Sequence, residues 1–212
     1  MIRTIGLAFL VATSMTTLTQ AAAPPKVDVS NDSITCNSVV LASASLKPPL
    51  AFSGSASSVA IKVKGTLGGC VDNTNGAVII DSGSFSGTLT GTSNNCTALL
   101  GTNPATGTLT FKWKANKATP ILQTSSVVTV TTITGGLLAP GGAFGAANYA
   151  QFSLGTSGVT GAFTGGDAGA TSSNTNVTSE DAGAFNTMCT NGDGVKSGIK
   201  VLHIGLGTVT LS

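Results

Sequence analysis

Charge is scarce in this chain. Only 8% of its 212 residues are Asp, Glu, Lys or Arg, and the formal net charge is +2. Nucleic-acid binders and polybasic membrane modules need clustered Lys and Arg. The lysines here are scattered, with Lys62 and Lys64, Lys112 and Lys114, and then Lys117. Histidine occurs once, as His203, and no G-x-S-x-G elbow accompanies it; Gly155-Thr156-Ser157-Gly158 is not that motif. His203 therefore reads as an ordinary strand residue, sharing a face with Val201 and Gly205. No C-x-x-C pair is present, which argues against zinc, haem attachment and thioredoxin-like redox work. Aromatics make up 5% of the chain, and it ends Thr210-Leu211-Ser212. An outer-membrane barrel carries aromatic girdles and a C-terminal aromatic, so that class fits poorly.

What is present begins with an export label. Met1-Ile2-Arg3 carries one positive charge, Thr4 to Met15 is apolar, and Thr19-Gln20-Ala21-Ala22-Ala23 offers small residues for cleavage. That is the anatomy of a secretory signal peptide. The apolar run falls short of the roughly 20 residues of a spanning helix. The expected organisation is a signal peptide over 1–21, cut between 21 and 23. An extended leader over 22–33 and one domain over 34–212 follow. The mature protein is expected to be secreted, periplasmic or on the cell surface, with no transmembrane segment after signal removal.

Low charge with 28 glycines and abundant Ser and Thr can signal disorder, but disorder goes with low hydrophobicity and high net charge. Here 41% of residues are hydrophobic. Period-2 alternation also recurs. Val59, Ile61 and Val63 share one face and Lys62 and Lys64 the other; Leu109, Phe111 and Trp113 oppose Thr110, Lys112 and Lys114. Strands with one dry and one wet face belong in antiparallel sheets. Further strands are expected at 34–43, 78–80, 84–92, 125–134, 149–154, 159–164, 174–178 and 201–211. Turns are expected at Leu67-Gly68-Gly69, Asn75-Gly76, Asn103-Pro104, Gly135-Gly136, Pro140-Gly141-Gly142, Gly165-Gly166-Asp167 and Asn191-Gly192-Asp193-Gly194. Gly135–Gly145 reads as a surface loop, and Ser179–Met188 as one short helical turn. The expected fold is an all-β antiparallel sandwich of about 8–10 strands, with a small closed barrel as the alternative.

Cys36, Cys70, Cys96 and Cys189 are even in number and follow an export signal, so two disulfides are expected. If the early strands form a meander, Cys36 and Cys70 sit at one end of the sheet. Cys36–Cys70 with Cys96–Cys189 is one connectivity, and Cys70–Cys189 another. Spacing alone leaves the pairing open.

The acids are Asp28, Asp32, Asp72, Asp81, Asp167, Glu180, Asp181 and Asp193. Most lie in Gly/Asn/Ser-rich turns, where Asp bonds its own backbone. Asp72-Asn73-Thr74-Asn75-Gly76 resembles the opening of a calcium loop. Thr74 departs from the third position, and Gly83 stands where the closing Glu belongs. A hairpin turn is the reading. Trp113 and Phe111 read as core, and Tyr149 as the aromatic better placed to be exposed. Asn31-Asp32-Ser33 and Asn176-Val177-Thr178 match the N-glycosylation pattern. No catalytic, cofactor-binding or metal-ligating residue is assigned, and no cofactor is expected.

Ile34-Thr35-Cys36, Gly68-Gly69-Cys70, Ser84–Gly91, Cys96, Gly107–Trp113 and Cys189 before a final strand resemble a loose group of small exported bacterial proteins. These have a signal peptide, a Ser/Thr/Gly-rich β domain and four cysteines, and their role is uncharacterised. The resemblance implies fold and export and transfers no activity. The expected function is non-enzymatic: a structural, adhesive or binding role at the envelope or outside the cell. A glycan, an envelope component or self-association is the expected partner, and nucleic acid is not. The alternatives are a fibre or pilus subunit, completed by a partner's strand, and a secreted hydrolase or ligand-carrying barrel.

Overall fold

The computed structural model describes residues 22–51, 58–95, 102–138, 149–165, 173–177 and 198–211. Eight strands follow one another: β1 (Ile34–Leu50), β2 (Val59–Asp72), β3 (Ile80–Gly91), β4 (Thr102–Ala115), β5 (Ser125–Leu138), β6 (Tyr149–Gly161), β7 (Ser173–Val177) and β8 (Ile199–Leu211). Each pairs antiparallel with the next, and β1 pairs with β8, so one sheet curls into a ring. The fold is all-β and antiparallel as expected. Of the two architectures open to the sequence, the closed barrel forms and the sandwich does not. Alternation looks the same in both, because each buries one face of every strand. Only the long-range pairing of Ile34 with Leu211 separates them. The ring is thinnest at β7, which pairs through Gln151–Ser153 on one side and Ile204–Val209 on the other.

Several expected turns lie inside strands. Leu67-Gly68-Gly69 belongs to β2, where Gly69 takes a φ of 59°. Glycine takes that left-handed backbone without steric cost, and the β1–β2 register runs unbroken past it, from Cys36–Cys70 to Ser38–Gly68. Asn103-Pro104 belongs to β4, and Pro104 stands at a register shift, where a missing N–H costs the ladder least. Gly135-Gly136 continues β5 against Phe152 and Gln151, so the expected loop does not start there. The two strands expected over 149–164 are one, β6. The strand expected at 78–80 reduces to the first residue of β3. The turn at Asn75-Gly76 forms as expected. The turns expected at 140–142 and 191–194 and the helical turn at 179–188 lie outside the described residues.

The apolar faces point inward. An eight-stranded barrel has an interior just wide enough for side chains to fill. Neighbouring strands achieve this by pairing bulk with glycine. Gly83 lies opposite Trp113, Gly65 opposite Phe85, Gly87 opposite Leu109, and Gly107 opposite Leu89. A Cβ on Gly65 would stand 2.6 Å from the Phe85 ring, and one on Gly83 2.8 Å from the Trp113 ring. Phe85, Phe111, Trp113 and Phe163 form a ladder with centroids 5.7, 5.8 and 5.4 Å apart. Trp113 Nε1 donates to Ser126 Oγ at 2.8 Å, and Ser126 Oγ donates to the Ala162 carbonyl, so the two buried polar groups satisfy each other.

The segment expected as an extended leader closes one end of this core. Val27 N donates to the Pro120 carbonyl and Leu122 N to the Val27 carbonyl. Phe163 N, Thr164 N and Gly165 N donate to the carbonyls of Val29, Ser30 and Asp32. Val29 is fully buried. Phe163, also fully buried, holds a φ of 54°, a conformation costly for an aromatic residue and kept here by the packing around it.

Cys36 and Cys70 are direct register partners on β1 and β2 and form a disulfide, with Cα atoms 3.9 Å apart. Cys96 and Cys189 lie outside the described residues.

Candidate binding face

The outward positions of β2, β3 and β4 are polar throughout their centre. Lys62 and Lys64 on β2 are register partners of Thr88 and Ser86 on β3, which face Thr108 and Thr110 on β4. One step along, Thr66 pairs Ser84, which pairs Lys112, and Lys114 pairs Ser82. The strand repeat puts Lys62 and Lys64 about 7 Å apart. A second pair, Lys112 and Lys114, lies two strands or about 10 Å across and is displaced along the strand, with Lys112 level with Thr66. This wall bears four ammonium groups among hydroxyls, with no carboxylate at these positions.

A shallow groove of about 440 Å³ opens on it. It is lined by Ser45, Lys62, Val63, Lys64, Ser86, Gly87 and Thr88. Gly87 matters twice: it leaves room for Leu109 inside and offers bare backbone between polar side chains outside. Two cations with three hydroxyls can hold a carboxylate, sulfate or phosphate group together with sugar hydroxyls.

His203 is exposed on β8 and pairs Ser43 on β1. Ile34, next to Asp72, is nine residues further along β1, which puts about 30 Å of strand between them. Asp81 accepts from Asn116 Nδ2 at 3.3 Å. Asp28 accepts from Ser30 N, and that bond holds its carboxyl below the usual range. Asp72 Oδ1 accepts from the N–H groups of Thr74 and Asn75, the turn-forming role expected of it. Thus Asp28 and Asp72 bond the N–H groups of their own turns, Asp81 bonds a side chain on the neighbouring segment, and His203 is not brought to Asp72. Among the described residues no three carboxylate, imidazole or thiolate groups converge on one point. Trp113 and Phe111 are core, as expected; the side chain of Tyr149 is outside the described set.

The groove escaped the sequence reading. Its signal was visible, as Lys62-Val63-Lys64 alternation beside Ser84-Phe85-Ser86-Gly87-Thr88, but alternation gives no register between the two segments. No family model, curated protein or solved structure matches the chain.

Proposed function

We propose that the protein is an exported, non-enzymatic binding module whose ligand is an acidic glycan of the cell envelope, held on the outer wall of β1–β4. The observation that carries this reading is the groove flanked by Lys62 and Lys64 on a wall of lysine and hydroxyl side chains. The reading is also supported by the core. Phe85, Phe111, Trp113 and Phe163 fill the barrel where a carrier would keep a cavity. Lysines on the outer wall are the reverse of a lipid-facing band. The Cys36–Cys70 disulfide suits an oxidising compartment, and among the described residues no helix is long and apolar enough to cross a membrane.

The test is calorimetric titration of the oxidised mature chain with polygalacturonate and with a neutral glucan. Expected is binding of the acidic polymer only. Affinity should fall as ionic strength rises, because exposed charges are screened within about 10 Å at 0.1 M salt. Lys62→Glu with Lys64→Glu should weaken it at least tenfold. Equal affinity for both polymers, or no loss in the double variant, would reject the wall as the site. The fibre alternative needs an open strand edge. β1 to β5 are hydrogen-bonded to a neighbour on each side, which favours the binding reading over strand donation.

A further inference from the structure

Asp72 ends β2, and its side chain is 2% exposed. One oxygen, Oδ1, is held by Thr74 N at 2.9 Å and Asn75 N at 2.8 Å. The other, Oδ2, is buried with no hydrogen-bond partner. A buried carboxylate oxygen in that condition calls for a cation or a donor. The neighbour it meets is a second acid. Ser33 N donates to Thr74 Oγ1 at 3.0 Å, and Asn73 N donates to the Ser33 carbonyl at 2.8 Å, which seats the N-terminal segment against the β2–β3 turn. These bonds set Asp32, one residue before Ser33, beside Asp72, one residue before Asn73, and the Asp32 carboxyl is pushed up by burial first and by the Asp72 charge second. The Asp28 charge adds a smaller push in the same direction. Neutral oxygens share the seam: the Ser33 and Thr74 hydroxyls lie 3.4 Å apart.

We propose that Asp32 and Asp72 form a calcium site that fastens the N-terminal segment to the β2–β3 turn. A hard divalent ion ligated by oxygens neutralises two facing carboxylates and occupies the unpartnered Asp72 Oδ2; water completes its six to eight ligands. Two carboxylates with no converging third place the site at the weak end of the calcium range, at dissociation constants of about 10⁻⁴–10⁻³ M. Magnesium, which requires near-ideal octahedral geometry and gives up water reluctantly, binds less well. This site lies at the plugged end of the barrel, apart from the lysine wall, and stands independently of the glycan reading.

The experiment is thermal unfolding of the full mature chain with its disulfides intact. It is stripped with EDTA and then titrated with CaCl2 or MgCl2 at constant ionic strength. Calcium at ten times its dissociation constant is expected to raise Tm by about 3–6 °C, and magnesium by less. Asp32→Asn is the diagnostic variant because Asp32 is only half-buried and its loss spares the turn. It is expected to fold and to lose the calcium response. Direct titration calorimetry with CaCl2 should show one site in the wild type and none in the variant. The proposal is overturned by an unchanged wild-type Tm at 10 mM calcium, or by an equal response in Asp32→Asn. It is also overturned if Asp32→Asn alone raises Tm while calcium does nothing. In that last case the pair is joined by a shared proton instead.

Discussion

Gly83 and Trp113 face each other across β3 and β4, and that pair sets the rule for the interior. Either residue alone is unremarkable; together they let an indole lie flat over bare backbone. Replacing Gly83 by alanine drives a methyl group to 2.8 Å from the ring. The expected cost is about 1–3 kcal/mol, the usual penalty for overpacking a filled core, checked by denaturant unfolding. Ser126 is the polar counterpart. It is fully buried and links Trp113 Nε1 to the Ala162 carbonyl. Ser126→Ala should cost about 1–3 kcal/mol, because a buried donor and acceptor lose their partner together. Its unfolding midpoint should drop, with the Trp113 emission shifted even in the folded state. The inward placement of Trp113, Phe111 and Leu109 was legible in their period-2 spacing. Their glycine partners were not, since a glycine in sequence reads equally as a turn.

At the scale of elements, the N-terminal segment shows how misleading local composition can be. Val27–Asp32 has no run of alternation and follows Pro24-Pro25, so by itself it reads as an unattached leader. Its place is set by carbonyls. Those of Val29, Ser30 and Asp32 accept from the N–H groups of Phe163, Thr164 and Gly165, at the end of β6. Deleting residues 22–32 should therefore open the base of the barrel above Phe163 and Trp113. Expected are a fall in Tm of more than 10 °C and red-shifted tryptophan emission, since the deletion removes the fully buried Val29 and the main-chain bonds made by Val27, Val29, Ser30 and Asp32, and each kcal/mol is worth about 2–4 °C at this size. A truncated chain melting like the parent would show that Val27–Asp32 is dispensable. Long strands were likewise underestimated. Gly69 and Pro104 stand within ladders that continue past them, because pairing with both neighbours outweighs a local preference to turn.

The whole molecule is held closed by β1, which pairs β2 at one edge and β8 at the other, and by the Cys36–Cys70 bridge on that same strand. The bridge closes a loop of 34 residues in the unfolded chain. On the chain-entropy account it is worth about 3–4 kcal/mol. Replacing Cys36 and Cys70 together by alanine should lower the unfolding free energy by that order and leave glycan titration unchanged in the folded protein. A loss of binding at full folding would place the disulfide in the binding face instead of the scaffold.

Alternation and turn chemistry are local properties, and they were enough to specify an antiparallel all-β chain with a dry face and a wet face. They act over a few residues and so survive without knowledge of neighbours. Closure, register and burial of the N-terminal segment are different in kind. Each depends on contacts between residues far apart in the chain, such as Ile34 with Leu211 or Val29 with Phe163. The tertiary structure alone decided barrel over sandwich. It set Lys62 and Lys64 beside Ser86 and Thr88, and it bonded the segment that carries Asp32 to the turn that follows Asp72. Side-chain period says which way a residue faces, and only strand pairing says what it faces.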